Sequence, residues 1–164
     1  MGAAVTSVDG NGSGGGGTAE ATTEEATTVA QTFIEAIAWG EHRRVWELLA
    51  PEGRKVVLRV AVKNGMDEAL AARLRDGTAG PGEMEEFLAE LLTGLRADLA
   101  GNDLDSLEYS ADEDASPERV RIMLRAPVPP LLGPVGLPVG SIEVARHDGR
   151  WLVERLTPRP DVIA

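Results

Sequence analysis

Beyond its 27 Asp and Glu residues, few side chains in this sequence can move protons, hold a metal or stack on a ligand. There are two histidines, one tyrosine, three tryptophans and no cysteine in 164 residues. Without cysteine there are no disulfides, thiolate zinc sites, iron–sulfur clusters or Cys nucleophiles. His42 stands at an expected helix start and His147 in an expected hairpin turn, and the pair has no H-x-x-x-H spacing for a His-based metal site. Asp112-Glu113-Asp114 lacks the spacing and the glycine of an EF-hand loop. Gly14–Gly17 lacks the Lys-Ser/Thr and the preceding strand of a phosphate loop. No catalytic set is assigned, and no metal or cofactor is expected. What remains is aromatic. Trp39, Trp46, Tyr109 and Trp151, with His42, are the candidate lining of a cavity suited to an apolar ligand; for each aromatic, core packing is the competing reading.

Strands near the C-terminus must position several of these residues. Residues 141–158 read S-I-E-V-A-R-H-D-G-R-W-L-V-E-R-L-T-P, two strand-like runs about an Asp-Gly turn. The first run alternates Ile142 and Val144 with Glu143 and Arg146. The second puts Trp151 and Val153 on one face and Leu152, Glu154 and Leu156 on the other. Upstream, Val120, Ile122 and Leu124 alternate with Arg119, Arg121, Met123 and Arg125, the pattern of a half-buried strand with a basic outer face. Leu107 and Tyr109 share a face of a shorter run. The inward set is therefore Val120, Ile122, Leu124, Ile142, Val144, Trp151 and Val153, none of which transfers a proton. Residues 127–140 are apolar but proline-rich, which predicts an extended connection rather than a central strand. Its apolar residues need cover from the sheet, a pocket mouth or a second chain.

Helices come first in the chain. Residues 1–21 form an expected disordered tail, since seven glycines in the first seventeen positions leave little to bury. Residues 22–160 form the expected single domain. Thr22 and Glu25 offer a capping box, followed by Ala26, Val29, Ala30, Phe33, Ile34 and Ile37 at helical spacing up to Gly40. A second helix carries Val45, Trp46, Leu48 and Leu49, and Pro51 can start another. Val56–Val62 is β-branched enough for a strand, yet no turn residue separates it from the preceding helix, so it is read as helix. Asp67 caps a short helix that Gly77 stops. Met84, Phe87, Leu88, Leu91, Leu92, Leu95 and Leu99 then follow helical spacing without a miss and are assigned to the core.

The formal charge is -11, which argues against nucleic acid as a partner. It is uneven. Residues 83–116 carry eleven acids against Arg96 alone, whereas residues 41–75 carry five acids and eight bases. A solvated acidic face accounts for this; attraction between two copies, or to a partner, is the sharper alternative. With no basic, apolar leader and no long apolar run, neither a signal peptide nor a transmembrane segment is expected, and the default location is cytoplasmic.

Three stretches carry a family resemblance: F-I-E-A-I-A-W-G at 33–40, W-E-L-L-A-P-E-G-R at 46–54 and D-G-R-W-L-V at 148–153. Together they resemble the NTF2-like (SnoaL-like) superfamily over roughly residues 24–158. The resemblance implies an α+β fold, with N-terminal helices packed on a curved antiparallel sheet of three to four strands, a cone enclosing an apolar pocket. It also implies a tendency to dimerise through the sheet. One departure is that the family's early strand after the second helix has only Val56–Val62 to supply it. Members range from isomerases, cyclases and epoxide hydrolases to non-catalytic binders and interaction subunits. The first expectation is therefore a non-catalytic accessory protein that binds an apolar small molecule or a partner protein and forms a homodimer. The alternative is a small isomerase, cyclase or hydrolase working through some of His42, Tyr109, Arg121, Glu143 and Glu154.

Overall fold

The computed structural model describes residues 14–112, 116–127 and 137–158. Five helices precede four strands: α1 (Gly14–Trp39), α2 (His42–Leu48), α3 (Pro51–Lys63), α4 (Glu68–Asp76), α5 (Pro81–Asp98), then β1 (Glu108–Ala111), β2 (Arg119–Ala126), β3 (Leu137–His147) and β4 (Arg150–Pro158). The strands form one antiparallel sheet in the order β1-β2-β3-β4, and α1 packs against all four. This is the expected α+β arrangement of N-terminal helices on an antiparallel sheet. Among the described residues, no helix is long and apolar enough to cross a membrane.

Helix α1 begins at Gly14, not at Thr22, so residues expected in the tail are helical; the rest of that expectation, residues 1–13, lies outside the described residues. Ala19, Glu20 and Ala21 are good helix formers, and extending an existing helix by a residue costs far less than starting one. Its inward stripe, Ala26, Ala30, Phe33, Ile34 and Ile37, is buried against the sheet. The Val56–Val62 run lies in α3, with Pro51 in its first turn. Asp67 accepts a hydrogen bond from the Leu70 N–H at 3.3 Å, capping α4, and Gly77 ends it at φ 76°.

All seven residues assigned to the inner face of the sheet are buried. Asp148 at φ 51° and Gly149 at φ 81° make the tight turn that closes β3 on β4, with His147 opposite Arg150. Three details of the sheet differ from expectation. First, β3 starts at Leu137 rather than Ser141. Pro138 is tolerated because it lies beyond the last β3–β4 pair, Gly140 with Pro158. The cover expected from the remainder of the connection falls on residues 128–136, outside those described. Second, Arg146 shares the inner parity of Ile142 and Val144 and faces the helices instead of lying opposite them. Third, the β3–β4 register shifts beside Glu143, where Arg155 and then Val153 find partners and Glu154 is passed over. That bulge turns Leu156 inward, onto the core, rather than outward with Leu152 and Glu154.

The helical layer is tied to the sheet at the other side of β4. The Ala50 N–H donates to the Val153 carbonyl at 2.7 Å, and Leu49 forms a one-residue parallel bridge with Val153. Gly53, in the first turn of α3, sits so close that a Cβ there would lie 2.9 Å from the Val153 oxygen and 3.0 Å from the Glu154 oxygen. A methyl group at 53 therefore forces α3 off the sheet. Gly53→Ala is expected to cost about 1–3 kcal/mol in urea denaturation despite the helix propensity of alanine. Gly94→Ala, where a Cβ meets nothing within 4 Å, should instead gain up to about 1 kcal/mol. Equal shifts of the two midpoints would refute the close approach.

Candidate functional site

Between α3 and α5 lies a cleft of about 900 Å3. Its floor is Phe33 of α1, Leu49 and the inward-turned Leu156 of β4. One wall is α3, which buries Gly53 and Leu58 against the protein and presents Val56, Val57, Val60 and Ala61 to the cleft. The other wall is α5, which contributes Phe87, Leu91 and Leu95. Met66 and Leu70 close one end. Val60 is 51% exposed, unusual for a valine beside so much apolar surface. Gly94 lies mid-helix on the α5 wall, and its missing side chain leaves open space there.

Acids border this apolar interior. Three of them are already engaged. Asp67 caps α4. Glu83 accepts from Arg73 Nη2 at 2.7 Å and from the Gly80 N–H at 3.0 Å. The Arg73 hydrogen bond, then that of Gly80, holds the Glu83 carboxyl below the usual range. Glu154 forms an ion pair with Arg119 Nη1 at 2.8 Å and lies 3.1 Å from His147 Nε2. Glu86, Glu90 and Asp98 on α5 make no such contact. Arg155 is the single basic side chain on the lining.

None of the five expected lining residues borders the cleft. Trp39 ends α1 with 75% of its surface exposed. Two residues beyond Ile37 is about 200° around the helix, so the stripe that buries Ile37 turns Trp39 outward. Trp46 is buried edge-on against Phe87, ring centroids 5.3 Å apart, and therefore stands behind the α5 wall. Its other contact is the Arg54 guanidinium, 4.9 Å from the ring centroid, which also donates to the Trp46 carbonyl at 2.8 and 3.1 Å. Trp151 is buried on the inner face beneath Arg146, 4.9 Å from the guanidinium, and donates to Glu25 at 3.2 Å. His42 lies 2.8 Å from Glu85, which also pairs with Arg43. The two partners, His42 first, hold the Glu85 carboxyl below its ordinary range. Tyr109 is half-buried on β1, opposite Leu124 and packed on the core.

The other catalytic candidates are equally dispersed. Arg121 and Glu143 stand opposite each other in the β2–β3 register, and the Arg121 guanidinium lies 3.9 Å from Asp112. Glu154 borders the cleft, but its carboxylate is taken up by Arg119 and His147. No buried polar or charged residue occurs among the described residues, and no group of three His or acidic side chains there could hold a metal.

Helical periodicity assigns the apolar stripe of α5 entirely to the core, which hides the cleft. Its seven apolar residues, Met84 to Leu99, span an arc of about 140° at ~100° per residue, wider than one packing partner covers. Leu88 and Leu99 meet the core, while Leu91 and Leu95 are left half-buried. The width of that arc was the available signal. No family model matches the chain, and neither a curated protein nor a solved structure matches it.

Burial first, and Glu35 second, push the Tyr109 phenol up to about 12. An unfolded tyrosine ionises near pH ~10. The stability this group contributes is thus complete below that value and is lost as pH rises toward 12. Because the chain has one tyrosine, titration of the tyrosinate absorption band should show a midpoint well above that of the urea-unfolded protein. Coincident midpoints would place Tyr109 in water.

Proposed function

We propose that this protein is a non-catalytic binding module, SnoaL-like in its architecture, whose α3–α5 cleft receives the apolar surface of a ligand. One observation carries the reading: an aliphatic cleft about 900 Å3 in volume that reaches from exposed Val60 down to core residues Phe33 and Leu49. Sites for small ligands commonly have volumes of roughly 300–1,000 Å3 and apolar walls. Its carboxylates stand around the apolar walls, and those with partners are bound to arginines, to His147 or to backbone N–H groups. That arrangement supports holding a ligand more than moving a proton.

The solvatochromic dye Nile red, uncharged and apolar, tests this directly. It is expected to bind saturably with a blue-shifted, enhanced emission. Gly94→Trp places a large ring in the open space on the α5 wall and should weaken dye binding by about tenfold or more, the loss of about 1.4 kcal/mol, while leaving the urea midpoint near that of the wild type. Unchanged dye affinity in a folded Gly94→Trp variant would remove the cleft as the binding site.

A further inference from the structure

The cleft has a polarity that its apolar walls do not require. Along α5 the lining residues recur at helical spacing, and Glu86, Glu90, Gly94 and Asp98 form one row at intervals of four. Three of these four are carboxylates with no ion pair or hydrogen bond. Nothing nearby on α5 can neutralise them. Arg96, the only base of residues 83–116, donates instead to the carbonyls of Ile37 and Ala38, at 3.0 and 3.1 Å, tying α5 to the end of α1. Arg73 is bound to Glu83, and Arg155, the one base on the lining, makes no ion pair with the row. An unpaired row of negative charge therefore runs beside an unpaired apolar groove. From Glu83 to Asp98 the groove is about 22 Å long at ~1.5 Å per residue, four turns of helix.

From this juxtaposition we infer that the cleft docks a basic amphipathic helix of a partner protein. This rests on the cleft being a binding site at all. Such a helix lays residues at i, i+3/i+4 and i+7 between α3 and α5, against Val57, Val60, Leu91 and Leu95. Lysine or arginine at four-residue intervals on one flank then meets Glu86, Glu90 and Asp98 in turn, since both rows repeat once per turn. Gly94, lacking a side chain in the middle of the acidic row, lets the incoming helix approach α5 closely. The acids select the partner and speed its approach, while the apolar rows hold it. An uncharged small ligand leaves the acidic row without a role, and an acidic one is repelled by it.

The test uses the full chain and two synthetic peptides of about 15 residues with the same leucine face, one carrying lysine along a flank and the other glutamate. At low ionic strength the lysine peptide should bind about tenfold tighter or more, through three surface ion pairs. Added salt should erase the preference. In the Glu86→Gln/Glu90→Gln/Asp98→Asn variant the lysine peptide should weaken and the glutamate peptide tighten, a divergence that simple structural damage does not produce. Equal affinity of the two peptides in the wild type, with Nile red still bound, would overturn the basic helix and leave an apolar-ligand cleft. Failure of dye and peptides alike would overturn the cleft itself. A dimer in sedimentation that the triple variant abolishes would make a second copy the occupant, and would likewise overturn a partner helix.

Discussion

The structure depends on a short seam where residues 49–53 meet the free edge of β4. Here the backbone of Ala50 bonds to Val153, and Gly53 lets α3 touch two successive carbonyls of the strand. Successive carbonyls of a regular strand point to opposite sides. Both approach Gly53 because the bulge at Glu154 breaks that alternation. The seam does two things at once. It covers part of an edge that would otherwise offer unpaired hydrogen-bonding groups. It also fixes the first turn of α3 against the sheet, so that α3 packs on α4 and β4 while α5 packs on α2 and α1. The cleft is the space left between two helices anchored to different neighbours.

The W-E-L-L-A-P-E-G-R stretch at 46–54 can be understood from this seam. Trp46 supplies an edge-on contact to Phe87, and its carbonyl holds Arg54. Leu49 bridges to β4, Pro51 opens α3, and Gly53 permits the close approach. These residues are spent on architecture. The same is true of Trp151, which lies under Arg146 and bonds to Glu25. Two of the aromatics that read as cavity lining, Trp46 and Trp151, thus have a face occupied by the chain's own guanidinium groups.

Much of the fold was legible because the relevant signals are local and periodic. Period-two alternation placed the seven apolar inward residues from Val120 to Val153 correctly, though not Arg146, and the Asp-Gly pair located the hairpin. Leu156 was not legible, since a bulge comes from pairing between strands and leaves no mark on one strand alone. The α3 assignment came from continuity with Pro51 and not from propensity, which favoured a strand. The cleft was harder to see for a related reason. Hydrophobic periodicity says that Leu88, Leu91, Leu92 and Leu95 share a face; it does not say that the face is split between the core and an open groove. Which carboxylates are already paired is a three-dimensional fact too: Arg73 and Arg96 are spent on Glu83 and on the end of α1. Composition alone could show only that the region is acidic.

The exchange rate of one amide tests whether the seam holds α3 to the sheet. The Ala50 N–H lies between two helices, at a place where a loop amide would exchange freely, yet it is fully buried and bonded to the Val153 carbonyl at 2.7 Å. Native-state hydrogen exchange followed by NMR should find it protected to the level of the central β3 amides, opening only with global unfolding. Exchange at the rate of a local opening, with β3 still protected, would mean that α3 is not anchored to the sheet and that the cleft has no fixed width.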